Sequence, residues 1–261
     1  MTSSVDRRAL EAASLADAIA LGIAGSGARL LNRNCSVTIN NQTRNAWGYG
    51  ATANIHYPTT AVACEIISSS AADAAAGTGA RTVYVEGLNA SFALISETAI
   101  LNGTNAVALT NSYYRILDVR VLTAGSGTLN AGRIDVRKVS GSNVMGSVQA
   151  SYSRMDSLSY TCPAGRRAFV VRASLEPNFS DLVYTDATTA VTQVPHELIL
   201  YRYSSGVYFI EGRLATRRVP VQREWGMALP LIAGEDLDVT IKTTGASLPF
   251  DGYLQILELP A

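Results

Sequence analysis

His56 and His196 are the only imidazoles in the chain. Neither has the i,i+4 histidine partner that a zinc-binding metalloprotease helix requires, so each reads as a structural residue. Glycan-cleaving chemistry needs no more than two carboxylates facing each other across a cleft. Asp181, Asp186 and Glu197 flank one long polar loop and are the best-placed candidates for it; as isolated charges they read as solvated loop and strand-edge groups. No G-x-S-x-G elbow occurs. Gly25-Ser26-Gly27, Gly77-Thr78-Gly79 and Gly125-Ser126-Gly127 complete neither a dinucleotide-binding nor a P-loop pattern. Cys35, Cys64 and Cys162 are odd in number and widely spaced, which fits neither a disulfide framework nor a zinc knuckle. Free thiols are the expectation, with a Cys35–Cys64 bridge as the alternative. The sequence thus leads us to expect no catalytic residue, no cofactor, no metal and no enzymatic activity.

Composition narrows the partners. Twenty-one basic and twenty-one acidic residues cancel, which removes the electrostatic footprint of a nucleic-acid binder. Only Lys138 and Lys242 are lysines; the other basic residues are arginines, whose planar fork suits carboxylate pairing and stacking at interfaces. Biased codon usage accounts for the same preference equally well. Five Asn-x-Ser/Thr sequons begin at Asn34, Asn41, Asn89, Asn102 and Asn178, but no secretory signal precedes them and they are discounted. Trp47, Tyr49 and Tyr57 cluster in a loop-rich stretch, where rings cover a core edge or an interface, or, as the alternative, form a platform for a sugar.

These side chains must be positioned by strands. Between Ser68 and Arg137, short alternating apolar runs are separated repeatedly by turn residues, which is how a sequence writes consecutive antiparallel strands. Leu117, Val119 and Val121 share one parity and Asp118 and Arg120 the other, predicting one buried and one polar face. Asn102-Gly103, between Ser96–Leu101 and Thr104–Leu109, predicts a two-residue hairpin. Gly141-Ser142-Asn143 marks a turn and a domain boundary. Beyond it, Cys162-Pro163-Ala164-Gly165 turns into a strand with Phe169, Val171, Ala173 and Leu175 on one face. A hairpin spans Ser205-Gly206, and Leu237, Val239 and Ile241 share a face before a last strand at Phe250–Leu259. The fold class expected is mainly β, an antiparallel β-sandwich of jelly-roll-like type, in one or two sandwiches with an N-terminal helical arm. The domains expected are 1–33 (arm), 34–142 (β-sandwich) and 143–261 (jelly-roll-like sandwich).

The arm is read from Val5 to Leu31, where alanine and leucine favour helix and Leu15, Ile19 and Ile23 recur at spacings of four. Glu11 and Asp17 interrupt what would be the apolar core of a signal peptide, so the stretch is expected neither to direct export nor to cross a membrane. The loop from Glu176 to Pro195 is long enough to carry recognition or inter-subunit contacts. Leu15, Ile19 and Ile23 on the arm and Phe179, Leu182 and Tyr184 on the loop are the candidate interface residues.

The run SSSAADAAAGTGARTVYVEGL, followed by SETAILNGTNAV and SYYRILDVRVLTAGSGTLNAG, resembles a family of virion structural proteins of tailed bacteriophages. The likeness covers about seventy residues closely and continues more loosely through Tyr160-Thr161-Cys162-Pro163-Ala164-Gly165 to the C-terminus. The resemblance implies a particle component without specifying which; the function expected is a capsid decoration or cement protein stabilising the shell, or alternatively a tail or neck adaptor, or, from a different class, a carbohydrate-binding host-recognition module. In that role the expected partners are the major capsid protein or other virion proteins, in a homo-oligomer taken as a trimer, with assembly into the virion in the host cytoplasm; the balanced charge and the interrupted apolar stretch lead us to expect neither nucleic acid nor membrane as partner.

Overall fold

A computed structural model describes residues 27–39, 43–45, 55–177, 196–204, 207–216, 221–243 and 248–261. Leu15, Ile19, Ile23, Phe179, Leu182, Tyr184, Asp181, Asp186, Trp47 and Tyr49 lie outside the described residues. The regular structure described is entirely β, in antiparallel pairs.

Eight strands build one sandwich: β1 (Arg29–Ile39), β2 (Thr43–Asn45), β11 (Arg166–Pro177), β12 (His196–Ser204), β13 (Val207–Thr216), β14 (Val221–Ile232), β15 (Asp236–Thr243) and β16 (Leu248–Pro260). One sheet runs β1-β16-β11-β14; in the other, β15 pairs with β2 and β12, and β12 with β13. Counted in chain order within this unit, the sheets read 1-8-3-6 and 2-7-4-5. That interleaving, each sheet taking its strands alternately from the two ends of the unit, is a jelly roll. Short β10 (Tyr160–Thr161) adds to β15 beside β2. Cys35, Tyr160, Ala168, Val170, Leu237, Phe250 and Ile256 are among the residues that fill the space between the sheets.

Between its second and third strands the jelly roll admits an insert. β3 (Val62–Ser68), β4 (Ala80–Leu88), β5 (Leu94–Ile100), β6 (Val107–Tyr113), β7 (Arg115–Ala124), β8 (Ile134–Lys138) and β9 (Val144–Val148) form two sheets, β6-β3-β8-β9 and β5-β4-β7. They close over a second core containing Ile66, Val83, Val85, Tyr113, Val119, Val136 and Val148. The strands therefore do not separate at 142 into consecutive blocks 34–142 and 143–261. Residues 29–45 pair with the end of the chain, and the Gly141-Ser142-Asn143 turn closes the β8–β9 hairpin inside the insert, with the Lys138 amide donating to the Asn143 carbonyl at 3.1 Å. Arg29–Leu31, assigned by composition to the helical arm, are strand, because β16 supplies eleven residues of continuous pairing from Arg29 to Ile39.

The Ser68–Arg137 stretch does its work through one side chain. Asp73 is fully buried. Its Oδ1 accepts the Ala80 amide at 2.7 Å and the Ala131 amide at 2.8 Å; its Oδ2 accepts the Ser68 hydroxyl at 2.6 Å and the Gly132 amide at 2.8 Å. The Gly103 amide donates to the Asp73 carbonyl at 2.7 Å. Gly125 and Gly127 donate to the Gly79 and Thr78 carbonyls, each at 2.8 Å. A Cβ on Gly77 would collide with the Ala72 carbonyl, and one on Gly125 with the Gly77 carbonyl. The serine run, the aspartate, the glycines and the Asn-Ala-Gly are thus one buried knot that ties the start of β4, the turn after Leu101 and the approach to β8 together. A carboxylate with four charge-assisted bonds holds these backbones where no sheet ladder reaches them.

Several local expectations change. Gly103 has the positive φ of +63° that Asn-Gly suggests, but the flanking strands are not a hairpin: β5 pairs with β4 and β6 with β3, in different sheets. Glu97 instead joins them, accepting the Thr110 and Asn111 amides at 2.7 and 2.9 Å. In β7, Arg115 to Val119 are buried at every position, Asp118 included: Arg115 is paired with Asp236 of the jelly roll, and Asp118 with Arg154 of the segment that follows β9. In β11 the pairing shifts between Val170 and Arg172, so Ala168 and Val170 face the core before the bulge and Ala173 after it. One extra residue resets the period of two, and Phe169 and Val171 fall outside the buried row. The hairpin across Ser205-Gly206 is found, with Ser204 opposite Val207, and Leu237 and Val239 are buried as their parity predicts.

Candidate functional site

The two sandwiches meet at Arg115, the first residue of β7. Its Nε donates to Asp236 Oδ1 at 2.9 Å and its Nη2 to Oδ2 at 2.7 Å, while Nη1 donates to the carbonyls of Pro58 and Tyr114. Tyr114 and Tyr57 stack on the guanidinium at 4.1 and 4.9 Å, and the Thr161 hydroxyl donates to Asp236 at 2.5 Å. Burial pulls the Arg115 pKa down, but Asp236 outweighs it and the guanidinium is held above its ordinary value. Both charges are about 6% exposed, so this is a structural clamp with no opening for a substrate. Tyr57, read with Trp47 and Tyr49 as a loop aromatic, belongs to this clamp.

Beside the clamp, along the free edge of β1, lies an open groove of about 490 Å³. Its floor is the register row Asn34, Tyr253 and Ser174, where β1, β16 and β11 lie side by side. The other wall is Asp118 of β7 and the 152–157 segment that returns the chain from the insert to the jelly roll. Asp156 caps the edge: its Oδ2 accepts the Ser36 amide at 2.7 Å, satisfying a donor that a sheet edge leaves unpaired. Burial pushes the Asp156 carboxyl up to about 6, with the Asp251 charge adding to the rise and the Ser36 bond opposing it. Arg154 forks onto Asp118 at 3.0 and 3.1 Å. Tyr253 and Gln255 both donate to Asn32 Oδ1, at 2.8 and 3.1 Å. Gly252 lets this floor sit close to the core, because a Cβ there would stand 2.7 Å from Leu158 Cδ1.

Of the histidines and carboxylates that sequence reasoning put forward, the described ones, His56, His196 and Glu197, are not among the residues that line this groove. His56 lies near the junction, where burial first and then Lys138 and Arg115 lower its pKa. His196 and Glu197 are paired in β12, opposite Thr216 and Ala215. Among the described residues no group of three or more His, Cys, Asp or Glu is arranged to hold a metal ion. Cys35, Cys64 and Cys162 are free and buried. A Cys35–Cys64 bridge does not form, since Cys35 lies in the jelly-roll core and Cys64 in that of the insert. Burial raises all three thiols, Cys64 and Cys162 to about 11, which keeps them protonated and unreactive. The groove residues were missed because they come from five distant stretches; the one local sign was the acid- and arginine-bearing Tyr152–Ser157 run after the last strand of the insert.

No protein-family model matches the chain, and no curated protein matches its sequence. Among solved structures there is weak similarity to viral capsid assemblies. The structure of infectious bursal disease virus, Gt strain, aligns with a TM-score of 0.23 and 8% identity over 89% of this chain and 72% of that one. The VP2 subviral particle of the same virus gives 0.12 and 9% over 90% and 81%, and its T=1 particles 0.12 and 10% over 90% and 79%. None of these three is a tailed-bacteriophage protein. At such TM-scores the likeness carries no argument, and the fold rests on the chain's own strand order.

Proposed function

We propose that the chain is a non-enzymatic structural subunit of a virus particle, and more narrowly a decoration or cement protein on the capsid of a tailed bacteriophage. The observation that carries this reading is the jelly-roll strand order with a second sandwich inserted between its second and third strands. Jelly rolls serve repeatedly as viral shell domains, although the architecture alone fixes no role. The sequence resemblance to phage virion proteins supports it independently, and in this chain the residues that carry it build the Asp73 knot. In this role the chain forms a homo-oligomer, a trimer being the simplest ring, that contacts the major capsid protein after assembly in the host cytoplasm. Many modest interfaces then add through symmetry.

Quantified protein profiles of purified particles test the proposal. Copies in the hundreds per particle support a shell position; a dozen or fewer move the chain to the tail or neck and overturn the decoration reading. Absence from the particle overturns both.

A further inference from the structure

We propose that the groove along the β1 edge is a binding site for a neutral saccharide. Its polar groups are fixed from behind and keep bonding capacity toward the opening. Arg154 spends Nε and Nη2 on Asp118, leaving its Nη1 donors uncommitted among the described residues. Asp156 spends Oδ2 on the Ser36 amide and keeps Oδ1 as an acceptor. Asn32 receives two bonds on Oδ1, which orients its Nδ2 as a donor. A preordered set that mixes donors with acceptors matches hydroxyl groups, each of which does both.

Charge and shape select further. Asp118, Asp156 and Asp251 face Arg33 and Arg154 in the lining, and Arg33 Nη1 is engaged by the Leu117 carbonyl at 2.5 Å. With three aspartates against two arginines in the lining, phosphate, sulfate and uronate ligands meet more negative than positive charge. A lipid or other apolar ligand finds few apolar side chains. Tyr152, 55% exposed at the rim, offers a flat apolar ring against which the C–H face of a sugar packs. The groove falls inside the size range of ligand pockets, roughly 300–1,000 Å³, and it opens to solvent, as a site for an extended chain must.

The test is titration of the full-length protein with neutral gluco-, manno- and galacto-configured oligosaccharides, followed by calorimetry and ligand-observed magnetic resonance. At least one should bind. Tyr152→Ala should weaken it tenfold or more, Arg154→Lys should weaken it while leaving the thermal midpoint near that of the parent, and Ser142→Ala, in the exposed β8–β9 turn outside the groove lining, should leave it unchanged. The inference is overturned if no neutral oligosaccharide binds at millimolar concentration, if only sulfated or uronate oligosaccharides bind, or if binding survives both groove substitutions.

Discussion

The Asp73 carboxylate holds the Ala131 amide at 2.8 Å across 58 residues of chain. With Ala80, Gly132 and Ser68 on its remaining lone pairs, this one side chain replaces the backbone ladder that a loop cluster cannot form. The seventy-residue signature is therefore written around a carboxylate, and its glycines are the positions at which backbones approach the carboxylate and one another.

Removing that acceptor strands buried donors. Asp73→Ala leaves three amides and a hydroxyl without their partner, at about 1–3 kcal/mol for each group that stays dry, so a loss of at least about 3 kcal/mol is expected in urea unfolding. Asp73→Asn should recover only part of it, because its amide nitrogen turns a donor toward donors. A loss below 1 kcal/mol for Asp73→Ala would show that water enters and takes over the knot.

The Arg115–Asp236 clamp predicts strong coupling. Breaking a buried pair from one side leaves the other charge uncompensated and costs about 3–5 kcal/mol, so Arg115→Met and Asp236→Leu should each destabilise heavily. The double substitution should cost much less than their sum. A double-mutant cycle by chemical denaturation checks this, and additive losses would mean that the two sandwiches are held together by other contacts.

What the sequence made legible was local. The parity of Leu237 and Val239, the positive φ of Gly103 and the two-residue spacing at Ser205-Gly206 all follow from neighbours in the chain. The interleaving was not legible, since the pairing of Arg29 with Glu258 leaves no mark on either stretch. Nor was the role of Asp73, which sits in an alanine run. In β11 a single bulge reversed the buried face without changing the apolar content of the strand. The candidate groove was hidden for the same reason as the jelly roll: Asn32, Asp118, Asp156 and Tyr253 meet only after the insert has folded back on β1.

Asp156 predicts a pH dependence of stability. Its carboxyl titrates near 6 in the folded protein, above its ordinary value of 3.8. The folded state therefore binds the proton more tightly than the unfolded state does. The resulting stabilisation is fully present below pH 4 and is lost as pH rises through about 6. Asp156→Asn keeps an acceptor for the Ser36 amide and has no proton to lose. Relative to the parent it should be more stable at pH 7, by roughly 1 kcal/mol after allowance for solvent screening. That difference should shrink toward pH 4. Thermal melts of both proteins between pH 4 and 7 supply the comparison, and parallel curves would place the titration elsewhere.

Glycine substitutions separate close approach from backbone strain. At Gly77 a Cβ would collide with the Ala72 carbonyl, a backbone atom that cannot swing away without opening the Asp73 knot. Gly165 has a φ of +71° and nothing within 4 Å of the Cβ position, so alanine there meets conformational strain alone, about 1–2 kcal/mol. Gly77→Ala should therefore cost clearly more than Gly165→Ala, and the excess should fall sharply in an Asp73→Ala background, where the knot is already open. Equal losses in the parent protein, or an excess that persists without Asp73, would detach the Ala72–Gly77 contact from the knot.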